Sequence, residues 1–442
     1  MTLTQQRLDE VIVALPHLET VLRAFDVARK WDDRPGDARP LYKDPEGADR
    51  SAALGLARIA VTDMTGLAAA LEGWADSEGA GPVFHGFPRP GADADPLDRV
   101  LWNLRAGFGA QYCNWTPTVG KNRVVGWVPG RQNPDGGDGG DGGVGGVGEV
   151  SHGGGKPPRA LQSVPAWAHD LPARRPTGVQ VGVVDTRMVA HDSLSGFWVG
   201  PDEIRRPVHA EQGHATFIAG LLRRHAPGAT LQMRPVLDKD AAATVWDAAL
   251  AIVEAGQAGI DVLNLSFVCY TADAHAPMVL TAALERLDPD TVVVAAAGNH
   301  GYLPGADRRK AAWPAASPDV IAVGALSARN DGQPASFSPD GPWIDVLAPG
   351  ENLESTFMDG TVQVWEDPDG PGPAKPERRP QEFNGYAMWS GTSFSSALVS
   401  AAIAERTVPG RVPARKAWED LLTEAAAGQA RPAPVPLTLP RD

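Results

Sequence analysis

From Val179 onward the chain alternates short, almost wholly apolar runs with helical stretches, and this pattern narrows the fold more than any other feature. The runs are VQVGVVD, ATLQMRPVLD, DVLNLSF, TVVVAAAGN, DVIAVGAL and WIDVLAPG. Between them lie the helical patterns HATFIAGLLRRH, ATVWDAALAIVEAG and APMVLTAALERLD. Strands without a polar face are covered on both sides, which predicts an α/β fold with a mainly parallel sheet and helices on both faces. Crossovers in such a sheet are right-handed, and ligands bind beyond the carboxyl ends of the strands. Asp185 ends the first run and Asn299 ends the fourth, so both fall on that edge. His214 and Ser393 each open a helix, and helix starts on the same edge can converge with them.

The rest of the chain excludes several classes. Forty Lys plus Arg against 54 Asp plus Glu give a net charge of −14, which argues against nucleic acid or an anionic membrane as partner. Cys113 and Cys269 are the two cysteines, too few for a disulfide framework, and free thiols fit a cytoplasmic location. No uncharged apolar run reaches the roughly 18 residues of a membrane span. The stretch MTLTQQRLDEVIVALPHLETVLRAF has no basic start, and Asp9, Glu10 and Glu19 interrupt it, so it is not expected to be a signal peptide. Leu8, Val11, Ile12, Leu15, Leu18, Val21, Leu22 and Phe25 recur at helical spacing and predict a helix kinked at Pro16. A second helix is expected near Ala52–Leu71 and a short strand at 124–128. The glycine-dense segment 133–158 cannot pack a core and reads as flexible coil. Its Asp-Gly-Gly repeats are too few for a calcium roll.

Four polar residues stand in contexts of small neighbours: VVDTR, GHATFIAG, AAAGN and GTSFSSA. Each has a plain reading alone. Asp185 suits a strand-end turn, His214 a surface site, Asn299 a left-handed turn, and Ser393 a helix cap. Together they match the parts of acyl-transfer chemistry: a nucleophile, a base, a group that holds the base, and an amide donor for an oxyanion.

These four stretches, in the order Asp, His, Asn, Ser, resemble the motifs of the subtilisin-like serine proteases, or subtilases. The resemblance spans about residues 175–408. It departs at Arg187, Ala215 and Ala397, where that family commonly has glycine, glycine and proline; no catalytic group is lost. It implies a subtilisin-like three-layer fold and a serine endopeptidase of restricted specificity acting on protein or peptide, with no metal or organic cofactor required. In that role Ser393 is the nucleophile, His214 the base, Asp185 its holder, and Asn299 with the Ser393 amide the oxyanion donors. A catalytically silent scaffold or binding protein on the same fold, and an esterase using the same triad, are the alternatives.

The resemblance also implies where substrate lies. Ser266, Phe267, Val268 and Cys269 form one wall of the pocket for the residue before the cut, and Ala296, Ala297 and Gly298 form the other. Bulk at Phe267 and Val268 narrows the pocket unless those side chains face the core. The Pro- and charge-rich insert 358–389 lies before the serine and is expected to be a surface loop or a contact for substrate or partner. The expected organisation is an accessory or prodomain-like mixed and helical region over 1–130, a Gly/Pro-rich linker over 131–174, a catalytic domain over 175–410, and a C-terminal helix with a Pro-rich tail over 411–442. Leu101, Trp102, Leu104, Phe108, Trp115, Val124, Val125 and Trp127 are expected to bury against the catalytic domain, docking the N-terminal region there.

Overall fold

The computed structural model describes residues 9–32, 40–43, 49–126, 157–271, 274–301, 307–329, 332–365, 378–426, 435–437 and 439. Trp127 and the glycine-dense coil as far as residue 156 lie outside these residues. No helix among the described residues is long and apolar enough to cross a membrane.

The N-terminal unit is an antiparallel sheet backed by helices. In chain order it contains β1 (Glu10–Ala14), α1 (Leu18–Ala28), β2 (Asp49–Ser51), β3 (Leu56–Ala60), α2 (Met64–Ser77), α3 (Pro96–Gln111) and β4 (Val119–Lys121), with sheet order β2-β3-β1-β4. The kinked helix expected from Leu8 to Phe25 is therefore a strand, a single turn at Leu15–His17, and a helix. Val11, Ile12 and Val13 are consecutive β-branched residues, which favour the pleated sheet and outweigh the helical spacing. The helix expected at Ala52–Leu71 likewise divides. Leu56–Ala60 pairs with β1, and α2 starts only after Asp63, whose carboxylate accepts the Gly66 amide at 2.8 Å as N-cap.

This unit has its own core, built from Val11, Val13, Phe25, Leu67, Leu71, Trp74, Leu101, Leu104 and Phe108 among others. The expectation that Leu101, Leu104 and Phe108 bury against the second unit is overturned: α3 packs its apolar face on α2 and has no need of an outside surface. Trp115 stays 40% exposed. Val125 does bury in the larger core, together with Ile12, Leu54 and Leu56.

After β4, the strand β5 (Val124–Gly126) leaves the N-terminal sheet and enters the second unit. That unit contains β6 (Gln180–Thr186), β7 (Trp198–Val199), α4 (His214–His225), β8 (Thr230–Leu237), β9 (Ala242–Thr244), α5 (Val245–Gln257), β10 (Val262–Leu265), α6 (Met278–Leu284), β11 (Val292–Ala296), β12 (Val320–Leu326) and β13 (Val346–Pro349). It continues through β14 (Leu353–Trp365), β15 (Arg378–Trp389), α7 (Thr392–Arg406), α8 (Ala414–Ala426) and β16 (Val435–Pro436). Eight strands form one sheet in the order β7-β8-β6-β10-β11-β12-β13-β16, and every pairing is parallel. The predicted parallel sheet is present, and β16 brings a short piece of the Pro-rich C-terminal stretch into it.

The described parts of the insert, 358–365 and 378–389, are strands rather than irregular loop. β14 and β15 pair antiparallel from Leu353–Trp389 to Trp365–Arg378. The strand alternation in TVQVW and EFNGYAMW is short and flanked by proline and charge, which hides it from composition. The hairpin lies on α4: Ser355 Oγ donates to the Phe217 carbonyl at 2.7 Å, and Thr356 Oγ1 to the Thr216 carbonyl at 2.8 Å.

Candidate active site

Parallel strands that run the same way end on the same edge, and the four predicted polar residues gather there. Asp185 is the penultimate residue of β6 and fully buried. His214 is the first residue of α4, also fully buried. Its Nδ1 lies 2.8 Å from Asp185 Oδ1 and 2.9 Å from Oδ2. The Thr186 amide donates to the same Oδ1 at 2.7 Å. A buried carboxylate needs such partners, because desolvation of an unpaired charge costs several kcal/mol. Thr186 Oγ1 accepts the Ala215 amide at 3.1 Å, which ties the start of α4 to the end of β6. Trp389 stands edge-on to the His214 ring at 5.6 Å, and Phe394 lies 5.5 Å away.

Ser393 is the second residue of α7, so its amide has no acceptor within the helix. Its hydroxyl donates to the Ser266 carbonyl at 3.2 Å. Below it a polar spine holds α7 to the sheet. Ser266 Oγ donates to the Ser393 carbonyl at 3.0 Å, Asn264 Nδ2 donates to Ser266 Oγ at 2.8 Å, and Ser400 Oγ donates to Asn264 Oδ1 at 3.1 Å. Asn299 follows β11 and is 2% exposed. Its Oδ1 accepts both the Thr392 amide at 2.9 Å and the Thr392 hydroxyl at 3.1 Å. With its oxygen fixed, the Asn299 amide nitrogen turns toward Gly391, 3.6 Å from where a Cβ on that residue would stand. The Asn299 side-chain amide and the Ser393 backbone amide thus both lie at the start of α7. Thr392 was not singled out in the sequence, although its place next to the serine was a signal: one residue holds Asn299, and its Oγ1 also accepts the Gly298 amide at 3.0 Å.

Two of the small neighbours have packing or backbone causes. A Cβ on Gly213 would overlap the Phe357 ring, so the hairpin demands that glycine. Gly298 has φ +93°, and a Cβ there would lie 2.5 Å from the Tyr270 hydroxyl. Gly298→Ala is accordingly expected to cost about 1–3 kcal/mol in backbone strain alone, with a further loss from the contact with Tyr270. Thermal denaturation reads the loss. The same substitution in a Tyr270→Phe background should cost less, since the clashing hydroxyl is gone; an equal cost would show that Tyr270 is not the obstacle.

The predicted pocket walls separate. Phe267 is 1% exposed and belongs to the main core, so it does not line the groove. The extended segment alternates: Phe267 and Cys269 join the main core, while Val268 and Tyr270 form a small cluster with Ala312. Ala297 is fully buried against Leu326, Ile344 and Leu347. Tyr270 and His300 were missed; they form a buried pair, hydroxyl to Nδ1, at 2.8 Å beneath Gly298. Burial and the nearby Lys310 charge push the imidazole of His300 down to about 4, so it is neutral at pH 7.

A strand already lies along this edge. β5 pairs antiparallel with β9, Gly126 facing Ala242, Val125 facing Ala243 and Val124 facing Thr244. On its other side Gly126 exchanges two hydrogen bonds of 3.1 Å with Val268. The start of α5 is closed by the same segment: the Val245 amide donates to the Arg123 carbonyl at 2.8 Å, and the Trp246 amide to Asn122 Oδ1 at 3.2 Å.

A family model described as the subtilase family matches residues 176–419. The thermophilic serine proteinase of Bacillus sp. (strain AK1) is 34% identical over 202 residues, covering 46% of this chain and 41% of that protein. Subtilisin BL of Lederbergia lenta is 31% identical over 240 residues, 52% of this chain and 76% of that protein. Among solved structures, a cold adapted subtilisin-like serine proteinase aligns at a TM-score of 0.44 with 18% identity, covering 60% of this chain and 90% of that one.

Proposed function

Because the chain belongs to the subtilase family, we propose that it is a serine endopeptidase in which Ser393 attacks the scissile carbonyl. The main support is the fully buried Asp185–His214 pair on the sheet edge where Ser393 opens α7. His214 takes the serine proton and passes it to the leaving amine. Asp185 holds the ring tautomer and stabilises the imidazolium. Asn299 Nδ2 and the Ser393 amide receive the oxyanion. The substrate is a protein or peptide, and this chemistry requires no metal or organic cofactor.

The groove takes an extended chain between β9 and Val268, the course that β5 follows. Continuing that register sets the residue before the cut opposite Ser266, with its side chain toward Gly298. Tyr270 and His300 close the space beneath, so specificity is restricted and large aromatic residues are disfavoured there. The N-terminal unit docks on the catalytic unit through β5, and in this arrangement its own strand closes the groove.

The test has two parts. A fluorophosphonate probe should label Ser393 faster once the chain is cut in the linker, and the cut protein should cleave a peptide library with few products after Phe, Tyr or Trp. No labelling before or after the cut would reject the enzyme in favour of a binding protein. Equal labelling in both forms would reject closure by β5. A profile led by aromatic residues would reject the pocket.

A further inference from the structure

The groove between β9 and Val268 is unusually tight at one place, and the tightness comes from a backbone carbonyl. A Cβ on Gly126 would stand 3.0 Å from the Ala241 oxygen and 3.7 Å from the Ala242 α-carbon. Backbone cannot rotate away as a side chain can, so accommodation needs movement of the turn itself.

That turn is held at several points. Ala241 adopts φ +56°, a conformation that non-glycine residues seldom take. Asp238 Oδ1 accepts the amides of Asp240 at 3.0 Å and Ala242 at 3.1 Å, and the Asp238 amide donates to the Ala242 carbonyl at 2.9 Å. Asp240 is clamped from outside: Arg378 donates to it at 3.1 Å, and His209 Nδ1 lies 2.8 Å away. Arg378 is itself fixed, with its guanidinium 4.3 Å from the Trp365 ring centre and bonded at 2.8 Å to Glu211, whose side chain is 4% exposed. The hairpin β14–β15 thereby braces the wall of the groove. One residue earlier in β5 the environment reverses: Val125 is fully buried, in the main core.

We propose that the groove selects an extended segment with glycine opposite Val268, the residue that Gly126 supplies. This rests on the reading of the groove as the peptide-binding channel. It adds a selection at a position two residues before the one facing Ser266, set by the Ala241 carbonyl and independent of the catalytic residues.

The test uses the full-length chain with Ser393→Ala, which prevents self-cleavage, and follows amide hydrogen exchange. Adding Gly126→Val should speed exchange at Ala242–Thr244 by about tenfold or more, with Val181–Val184 unchanged; Gly126→Ala should give a smaller effect in the same place. Acetyl-Arg-Val-Val-Gly-amide added to the Gly126→Val chain should restore slow exchange, and the Arg-Val-Val-Ala counterpart should need about ten times the concentration. Equal protection by the two peptides would overturn the proposal. So would unchanged exchange in the Gly126→Val chain, or faster exchange that includes Val181–Val184, since the glycine would then serve only the fold. The readout does not depend on hydrolysis. A chain that passes it but is never labelled at Ser393 has the selective groove without the proposed activity.

Discussion

Replacing Ser393 by alanine is expected to lower peptide hydrolysis by about six orders of magnitude, the size of loss known for the nucleophile of subtilisin itself. No neighbouring hydroxyl can substitute. Ser395, Ser396 and Ser400 are fully buried further along α7, and Ser396 Oγ is committed to the Ser393 carbonyl at 2.8 Å. The fold should survive. The deleted hydroxyl makes one described hydrogen bond, to the Ser266 carbonyl, worth about 1 kcal/mol net. Turnover of a peptide substrate and thermal denaturation are measured on the same preparation. Hydrolysis by the alanine variant within tenfold of the parent would mean that another group is the nucleophile.

Asp185→Asn is expected to lower kcat by about four orders of magnitude with little change in KM. The asparagine is the same size and can still accept the Thr186 amide now bonded at 2.7 Å. What it cannot do is accept from His214 Nδ1 at both of the positions now 2.8 and 2.9 Å away. Its NH2 would instead favour the tautomer that carries the proton on Nε2, leaving no basic nitrogen for the serine. Because both groups are fully buried, no solvent takes over the lost negative charge. A loss of less than tenfold would show that Asp185 does not hold the base during turnover.

The central sheet was legible because its strands are buried on both faces, and uniform apolar runs such as TVVVAAAGN admit few other readings. The positions of Asp185, His214, Asn299 and Ser393 were legible for a related reason: parallel strands end together. Long-range packing was not. Nothing in the surroundings of Gly213 in the sequence names Phe357, which lies 144 positions further on and forces that glycine. Phe267 could have faced either way, since a single turn of register decides between core and groove. In the N-terminal unit, β-branched runs at helical spacing carried two signals at once, and sheet pairing with β3 settled the outcome for Val11–Val13. The hairpin was hidden by its flanks, and the partnership of Tyr270 with His300 joins residues on two separate segments.

The two outer strands of the eight-stranded sheet, Trp198–Val199 and Val435–Pro436, are only two residues long. A parallel sheet leaves a row of unpaired amides and carbonyls at each border, and such rows can recruit strands from other molecules. Here the borders are too short to template a further strand, and Pro436 has no N–H to offer one. The long interior strands, with their runs of valine, would be adhesive if they lay outermost. These fragments cover the borders of a strongly apolar sheet and leave little edge for a strand of another molecule to extend.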